Sequence, residues 1–420
     1  MSSTPSGMSD LPDEPRHDPY AALRHPEFRW FMVSGFLLSL AMQMQSTILG
    51  WQVYGITGTA WSLGIVGLSE AAPFLALTLV GGHVADRSDR RAIALGFVAV
   101  LALGAALLLG LNLHRLPLAA WPFYAIQATA GLARAFYRPA SSALATELVP
   151  RDAYANAAAW RTTQFQVAMV AGPALGGLVY GFVSPRAAYG LELALLVSGG
   201  LFLACVKPRP RKVDASAPRP AFFDGVRFVW REKAILGAMS LDLFAVLFGG
   251  APALLPIFAG PAFLDVGAQG LGLLRAAPAI GSVLTSLALA HLPPLKRAGK
   301  VLLWNVGLFG LCWIVFALSK HFWLSFSLLA LSGATDDVSV VVRSTLVQTL
   351  TPPEMMGRVQ AVNGFFIGSS NEVGAFESGS AAGLLGVVPS IVIGGCITVG
   401  VVLLTAWRVP ALRNLREIHR

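Results

Sequence analysis

Residues 131–150 read Gly-Leu-Ala-Arg-Ala-Phe-Tyr-Arg-Pro-Ala-Ser-Ser-Ala-Leu-Ala-Thr-Glu-Leu-Val-Pro, and the chain returns to the same skeleton at residues 333–352. Gly131, Ser142, Leu144, Leu148 and Pro150 recur as Gly333, Ser344, Leu346, Leu350 and Pro352, each at an offset of 202 (333 − 131). Arg134 is answered at the same offset by Asp336. A second element, Glu70-Ala-Ala-Pro73, recurs as Arg275-Ala-Ala-Pro278 at an offset of 205 (275 − 70). Self-similarity of this kind decides architecture before any local reading. It implies two copies of one helical unit, the arrangement of transporters that hold substrate near the membrane midplane between parallel halves.

Composition agrees with a membrane setting. Charged residues make up 13 % of the 420-residue chain and hydrophobic ones 55 %, with a mean hydropathy of +0.64. A soluble domain carries about a quarter charged residues, so this surface is not built for water. A span needs about 20 apolar residues in a helix. Such runs are predicted over residues 28–54, 61–84, 92–113, 119–140, 155–183 and 186–206, then 234–259, 268–291, 300–318, 322–350, 355–385 and 388–407. The expected fold is an all-α membrane protein of twelve transmembrane helices in two pseudo-symmetric six-helix halves. Its parts are a cytoplasmic N-terminal tail (1–27), a first bundle (28–206), a cytoplasmic central loop (207–233), a second bundle (234–407) and a cytoplasmic tail (408–420).

Residues 1–27 are polar and bear prolines, without the basic, apolar and small-residue order of a secretory signal. Lys and Arg collect on one side of the expected spans, at Arg87, Arg90, Arg91, Arg151, the stretch from Lys207 to Lys233, Arg297, Lys300, Arg358 and the tail. The other side receives Arg115, Arg186 and Lys320. The positive-inside bias therefore predicts both termini and the central loop in the cytoplasm. The net charge of +9 is topological and does not argue for nucleic acid. Cys205, Cys312 and Cys396 lie far apart in apolar runs and read as packing residues.

The densest local signal is Gly82-His-Val-Ala-Asp86-Arg87-Ser-Asp89-Arg90-Arg91 at the end of the second segment. It resembles the signature of the major facilitator superfamily, Gly-x-x-x-Asp-Arg-x-Gly-Arg-Arg, with Asp89 standing where Gly is usual. The resemblance implies that Gly82, Asp86, Arg87, Asp89, Arg90 and Arg91 form a cytoplasmic gate. In it Asp86 meets the start of the eleventh helix near residues 353–357, where a carboxylate is favoured by the helix dipole. The run Gly172-Pro173-Ala-Leu-Gly176-Gly177 permits close packing and a kink. It also resembles the end of a motif of exporters and antiporters in that superfamily, whose earlier glycines are absent here. Four further segments resemble the bacterial enterobactin-exporter-like and drug-efflux branch. They are His25-Pro-Glu-Phe28-Arg29, Trp61-Ser-Leu-Gly64, Phe222-Phe-Asp-Gly225-Val-Arg227-Phe228 and Thr351-Pro-Pro-Glu354-Met-Met-Gly357-Arg358.

Ionised residues inside spans are costly and each needs an account. Gln127, Gly131, Arg134 and Arg138 share one face of the fourth segment, and Gly333, Asp336, Val340 and Arg343 share one face of the tenth. Ser39, Gln43, Ser46 and Gly50 do the same in the first. The resemblance implies that the first, fourth, seventh and tenth helices line a central cavity. A substrate site of Gln43, Ser46, Gln127, Arg134, Asp336 and Arg343 follows, with Arg134 and Asp336 facing one another; an inert ion pair between helices is the alternative. Asp242, Asp337 and Glu372 are the candidates for carrying a proton, because a carboxyl group withdrawn from water is easier to protonate. Glu70, Arg275, Glu372 and Glu377 are expected either as gate contacts between halves or as pairs satisfied by packing. Phe244, Phe248, Phe365 and Phe366 are expected to face lipid or the core.

No phosphate-binding Gly-x-x-x-x-Gly-Lys-Ser/Thr loop, His-Glu-x-x-His or Cys-x-x-Cys occurs in the sequence. The expectation is a non-enzymatic secondary transporter in a bacterial inner membrane, monomeric, bathed in lipid, with no metal or cofactor, and driven by protons rather than ATP. Its cargo would be a small amphiphilic compound such as a siderophore or drug, moved outward by antiport. An importer or facilitator of a metabolite or lysolipid on the same fold, and a membrane receptor that binds without moving its ligand, are the rival readings.

Overall fold

The computed structural model describes residues 18–113, 118–208, 222–292, 297–352 and 354–413. Its first six long helices are α1 (Pro26–Thr57), α2 (Ala60–Arg87), α3 (Arg90–Leu113), α4 (Trp121–Glu147), α5 (Tyr154–Phe182) and α6 (Pro185–Cys205). Then come a short α7 (Phe222–Arg231), α8 (Lys233–Phe244), α9 (Leu255–Ala259), α10 (Gly267–His291) and α11 (Ala298–Leu318). The order ends with α12 (Phe322–Leu350), α13 (Met356–Leu385), α14 (Val387–Arg408) and α15 (Pro410–Arg413). No strand occurs among the described residues. Local chemistry sets several ends. Gly58 closes α1 in the left-handed region at φ 64°, which glycine adopts without strain. Ser184 Oγ accepts from the Ala187 backbone N–H at 3.1 Å, with Pro185 as the first residue of α6.

Ten segments among the described residues are long and apolar enough to cross a membrane. The two expected spans outside that set are α4 and α13, which are as long but interrupted by Gln127, Arg134, Arg138, Asn363, Asn371 and Glu377. The seventh span, expected as one helix over residues 234–259, is broken. After α8 the backbone widens to a π turn at Ala245–Gly249, passes through extended Gly250, and re-forms as a 3-10 turn before α9. Pro252 and Pro256 lack the N–H that a continuous helix needs. The central stretch expected as loop contains α7, whose Gly225 lies against the Arg358 backbone while Arg358 Nη1 reaches Asp224 Oδ2 at 3.4 Å.

Small residues set the helix pairs. In the first half α2 runs along α4, with Gly131 against the Glu70 backbone and Gly81 against Ala135. In the second α10 runs along α12, with Gly333 against the Pro278 carbonyl and Gly281 against Ala330. Without a hydrophobic drive inside lipid, such close backbone approach is what holds helices together.

Two seams join the halves, α5 with α10 and α2 with α13. Call the end carrying Arg87 to Arg91 and both described chain ends the basic end. The seams are tightest at the opposite, far end. There Gly177 meets Ala268 and Gly272, Gly64 meets Gly379, Gly67 meets Ala375, and Trp61 covers Gly383. The apolar cores agree. Near the basic end one buried cluster runs from Ala22 to Val206 and a separate one from Val229 to Leu412. At the far end one cluster takes Leu63 of α2 together with Leu254, Phe258, Leu274, Trp313 and Ala382. Toward the basic end, an added Cβ at Gly82, Gly357 or Gly364 would meet open space. The halves are clasped at one end and parted at the other.

Candidate substrate cavity

A cavity of about 380 Å³ lies between the halves, within the range of small-ligand sites. Gln43 and Ser46 of α1 and Met169 and Pro173 of α5 line it from the first half. Arg275 and Pro278 of α10, Phe309 and Trp313 of α11, Asp336 of α12 and Asn371 of α13 line it from the second. The break after α8 shapes the wall. Val246 and Gly250 line it, and the missing side chain at Gly250 lets the ends of Phe309 and Trp313 come against this backbone.

Its polar groups are few. Arg275 Nη1 donates to Ser46 Oγ at 2.7 Å, a hydrogen bond from one half to the other. The Arg275 Nε and the Trp313 Nε1 are buried with no hydrogen-bond partner. Asp336 shares the cavity wall with Gly333 and Ser332 of its own helix.

Three of the expected cavity residues lie elsewhere. Arg134 does not face Asp336 across the cavity: its Nη1 pairs with Glu70 Oε1 on α2 at 2.8 Å, and its guanidinium lies 4.8 Å from the Phe74 ring. Gln127 donates to the other Glu70 oxygen at 3.1 Å. Arg343, 4 % exposed, pairs with Asp242 of α8 inside the second half. The reason is proximity. An ion withdrawn from water takes the nearest counter-charge, and α2 and α8 supply carboxylates one helix away. Gln43, Ser46 and Asp336 do line the cavity.

Asp337, one step round α12, accepts from Ser282 Oγ at 2.9 Å and Ser286 Oγ at 2.7 Å, both on α10. Ser282 in turn accepts from Gln166 Nε2 of α5 at 3.3 Å, so this chain crosses a seam. Glu70 is a partner within its own half, whereas Arg275 reaches the other. The side chains of Asp86 and Glu372 lie outside the described residues, as does Pro353.

In the basic loop, Asp89 Oδ1 accepts from the backbone N–H groups of Arg91 at 2.8 Å and Ala92 at 3.3 Å, capping α3. An acid in place of the usual glycine thus has a local use. Arg90 Nη1 binds Glu147 Oε1 of α4 at 2.6 Å, Arg91 binds the Ala204 carbonyl of α6, and Arg87 is exposed. Gly82 opens on space. In α5, Gly172 fits against Gln43 and Gly176 against Met44 of α1, Gly177 fits against α10, and the Pro173 carbonyl receives Gly272. One helix therefore touches both halves through consecutive small residues.

Phe309, Trp313 and Asn371 join the wall beyond the residues expected from sequence. Asn371 stands out in an apolar run and signals a polar face. The two aromatics carry no such mark, because only the broken seventh span brings them to the cavity.

A family model described as transmembrane secretion effector matches residues 17–419. The chain belongs to that family of major facilitator transporters. The chain is 27 % identical to the enterobactin exporter of Citrobacter koseri over 403 residues, covering 94 % of each chain. It is 26 % identical to the enterobactin exporter of Escherichia coli K12 over 413 residues, again covering 94 % of each. Among solved structures, it superposes on the nucleoside transporter NupG with a TM-score of 0.70 at 16 % identity, covering 93 % of this chain and 100 % of that one. A bacterial homologue of the human lysosomal transporter Spinster, in an inward-facing and occupied conformation, gives a TM-score of 0.70 at 13 % identity, covering 94 % and 99 %. The protein is a multi-pass membrane transporter of the major facilitator fold and not an enzyme.

Proposed function

We propose that this transporter exports a small amphiphilic organic compound, a siderophore or a drug-like molecule, across a bacterial inner membrane in exchange for protons. The observation that carries the reading is the cavity between the halves, walled by Phe309 and Trp313 and dotted with Gln43, Ser46, Arg275 and Asp336. Apolar rings with few polar groups suit an amphiphile. The relatives named as enterobactin exporters, similar along nearly the whole chain, support outward transport and a siderophore cargo.

In this reading both termini and the basic loops face the cytoplasm, so the clasped far end is periplasmic and the cavity loads from inside. Export requires the two far-end seams to part while the basic ends close. Substrate and proton drive that exchange only through unequal affinity for the two states. Asp242, Asp337 and Glu372 are the candidates for the proton carrier in this scheme, with Asp336 the acid that meets cargo directly. The protein works as a monomer in lipid, needs no cofactor, and draws on the proton gradient rather than ATP.

Everted vesicles containing the purified protein are expected to accumulate radiolabelled enterobactin when their lumen is acid, and to lose it when a protonophore collapses the gradient. Accumulation indifferent to the gradient would remove proton coupling. Binding without accumulation under any gradient would favour a receptor.

A further inference from the structure

The repeat relates Glu70 to Arg275 and Arg134 to Asp336, so each half carries one acid and one guanidinium at corresponding places with the signs exchanged. In the first half the pair is made: Arg134 and Glu70 lie 2.8 Å apart, with Gln127 bonded to the same carboxylate. In the second half the corresponding pair is open. Arg275 and Asp336 line one cavity yet form no ion pair, and among the described residues the only polar partner of Arg275 is the neutral Ser46 hydroxyl. Its Nε is buried without an acceptor. The indole N–H of Trp313, a second unanswered donor, belongs to the same wall.

A guanidinium partly withdrawn from water without a carboxylate carries a cost, and a planar fork of N–H donors is suited to a carboxylate or similar oxyanion. The neighbouring surface of Phe309, Trp313 and Val246 is apolar. We propose that Arg275 is the anion-recognising residue of the cavity, which takes a cargo bearing an acidic oxygen group on an aromatic or aliphatic body. Asp336 is the internal competitor: it opposes an anion by charge, and it is the carboxylate that the repeat makes the natural partner of Arg275. This inference rests on the cavity being the substrate site.

The test uses three probes of one shape, 2-naphthoate, 2-naphthylmethanol and 2-naphthylmethylammonium, titrated calorimetrically into the detergent-purified protein. The wild type is expected to bind naphthoate about tenfold or more tighter than the alcohol, and the ammonium weakest. Arg275→Gln should abolish that order, with naphthoate losing about tenfold more affinity than the alcohol. Arg275→Lys should keep part of it, and Asp336→Asn should tighten naphthoate and weaken the ammonium. Equal affinities in the wild type, or a preference for naphthoate that survives Arg275→Gln, overturns the inference while leaving the cavity reading intact. Phe309→Ala reports on the cavity itself by weakening all three probes together. Binding unaffected by Phe309→Ala, or no binding of any probe, overturns the cavity reading and this inference with it.

Discussion

Arg343→Met is expected to lower stability by about 3–5 kcal/mol, since removing one partner of a buried ion pair strands the other charge. Arg343 is 4 % exposed and its partner Asp242 12 % exposed, so neither is rescued by solvent. Asp242→Asn should leave the guanidinium stranded in the same way. The double variant Asp242→Asn/Arg343→Met should recover most of the loss, because no unpaired charge then remains. Unfolding of the detergent-purified protein by titration with a denaturing detergent, followed by circular dichroism, reads all three. A double variant as unstable as the sum of the two singles would show that each side chain acts separately, and would contradict the pairing.

The second large effect is expected at the far-end seam. A Cβ at Gly379 would collide with the Gly64 backbone, and one at Gly64 would stand 3.1 Å from Gly379 Cα, a tight contact that the facing backbone would have to yield to accommodate. Both atoms are main chain, so no side chain can swing away. Gly379→Leu therefore penalises the clasped state by about 1–3 kcal/mol and leaves a state with the seam parted untouched. Such a bias changes the populations by about 5- to 150-fold. Transport should fall accordingly while the protein remains folded, and a cysteine placed at Gly250 should react faster with a membrane-impermeant thiol reagent added on the far side. Unchanged reactivity combined with normal transport would mean that this seam does not gate the cavity.

Much of the architecture was readable from residues alone, and the reasons are physical. Length and apolarity mark a span whatever surrounds it, and the 202-residue offset marks the two halves because the same backbone contacts recur, Gly131 against α2 and Gly333 against α10. Helical spacing put Gln43 and Ser46 on one face and Asp336 on another, and the resemblance to the major facilitator superfamily implied that these faces line a cavity, as they do. What spacing does not carry is which neighbour a face meets. Arg134 could be put on a face but not beside Glu70, since that depends on how α2 crosses α4. For the same reason Arg343 was expected in the cavity and is found with Asp242. The break in the seventh span was signalled by Gly249, Gly250, Pro252 and Pro256, yet hydropathy read straight through it. The aromatic wall at Phe309 and Trp313 is a consequence of that break and has no signature of its own. Two polar helices, α4 and α13, fall below the apolarity of a span because of the Arg, Asn and Glu residues along them.

Export in the proposed reading requires the two halves to exchange which end is clasped. Pulsed electron paramagnetic resonance on two labelled pairs in lipid nanodiscs tests it most directly. Thr59→Cys with Leu384→Cys spans the far end, and Arg87→Cys with Gly357→Cys spans the basic end, all four being exposed positions. Without cargo the far-end pair is predicted to give a short distance and the basic-end pair a long one. Acid pH together with enterobactin should create a second population in which the far-end distance lengthens and the basic-end distance shortens. A single unchanged distance for both pairs, or both lengthening together, would contradict the account.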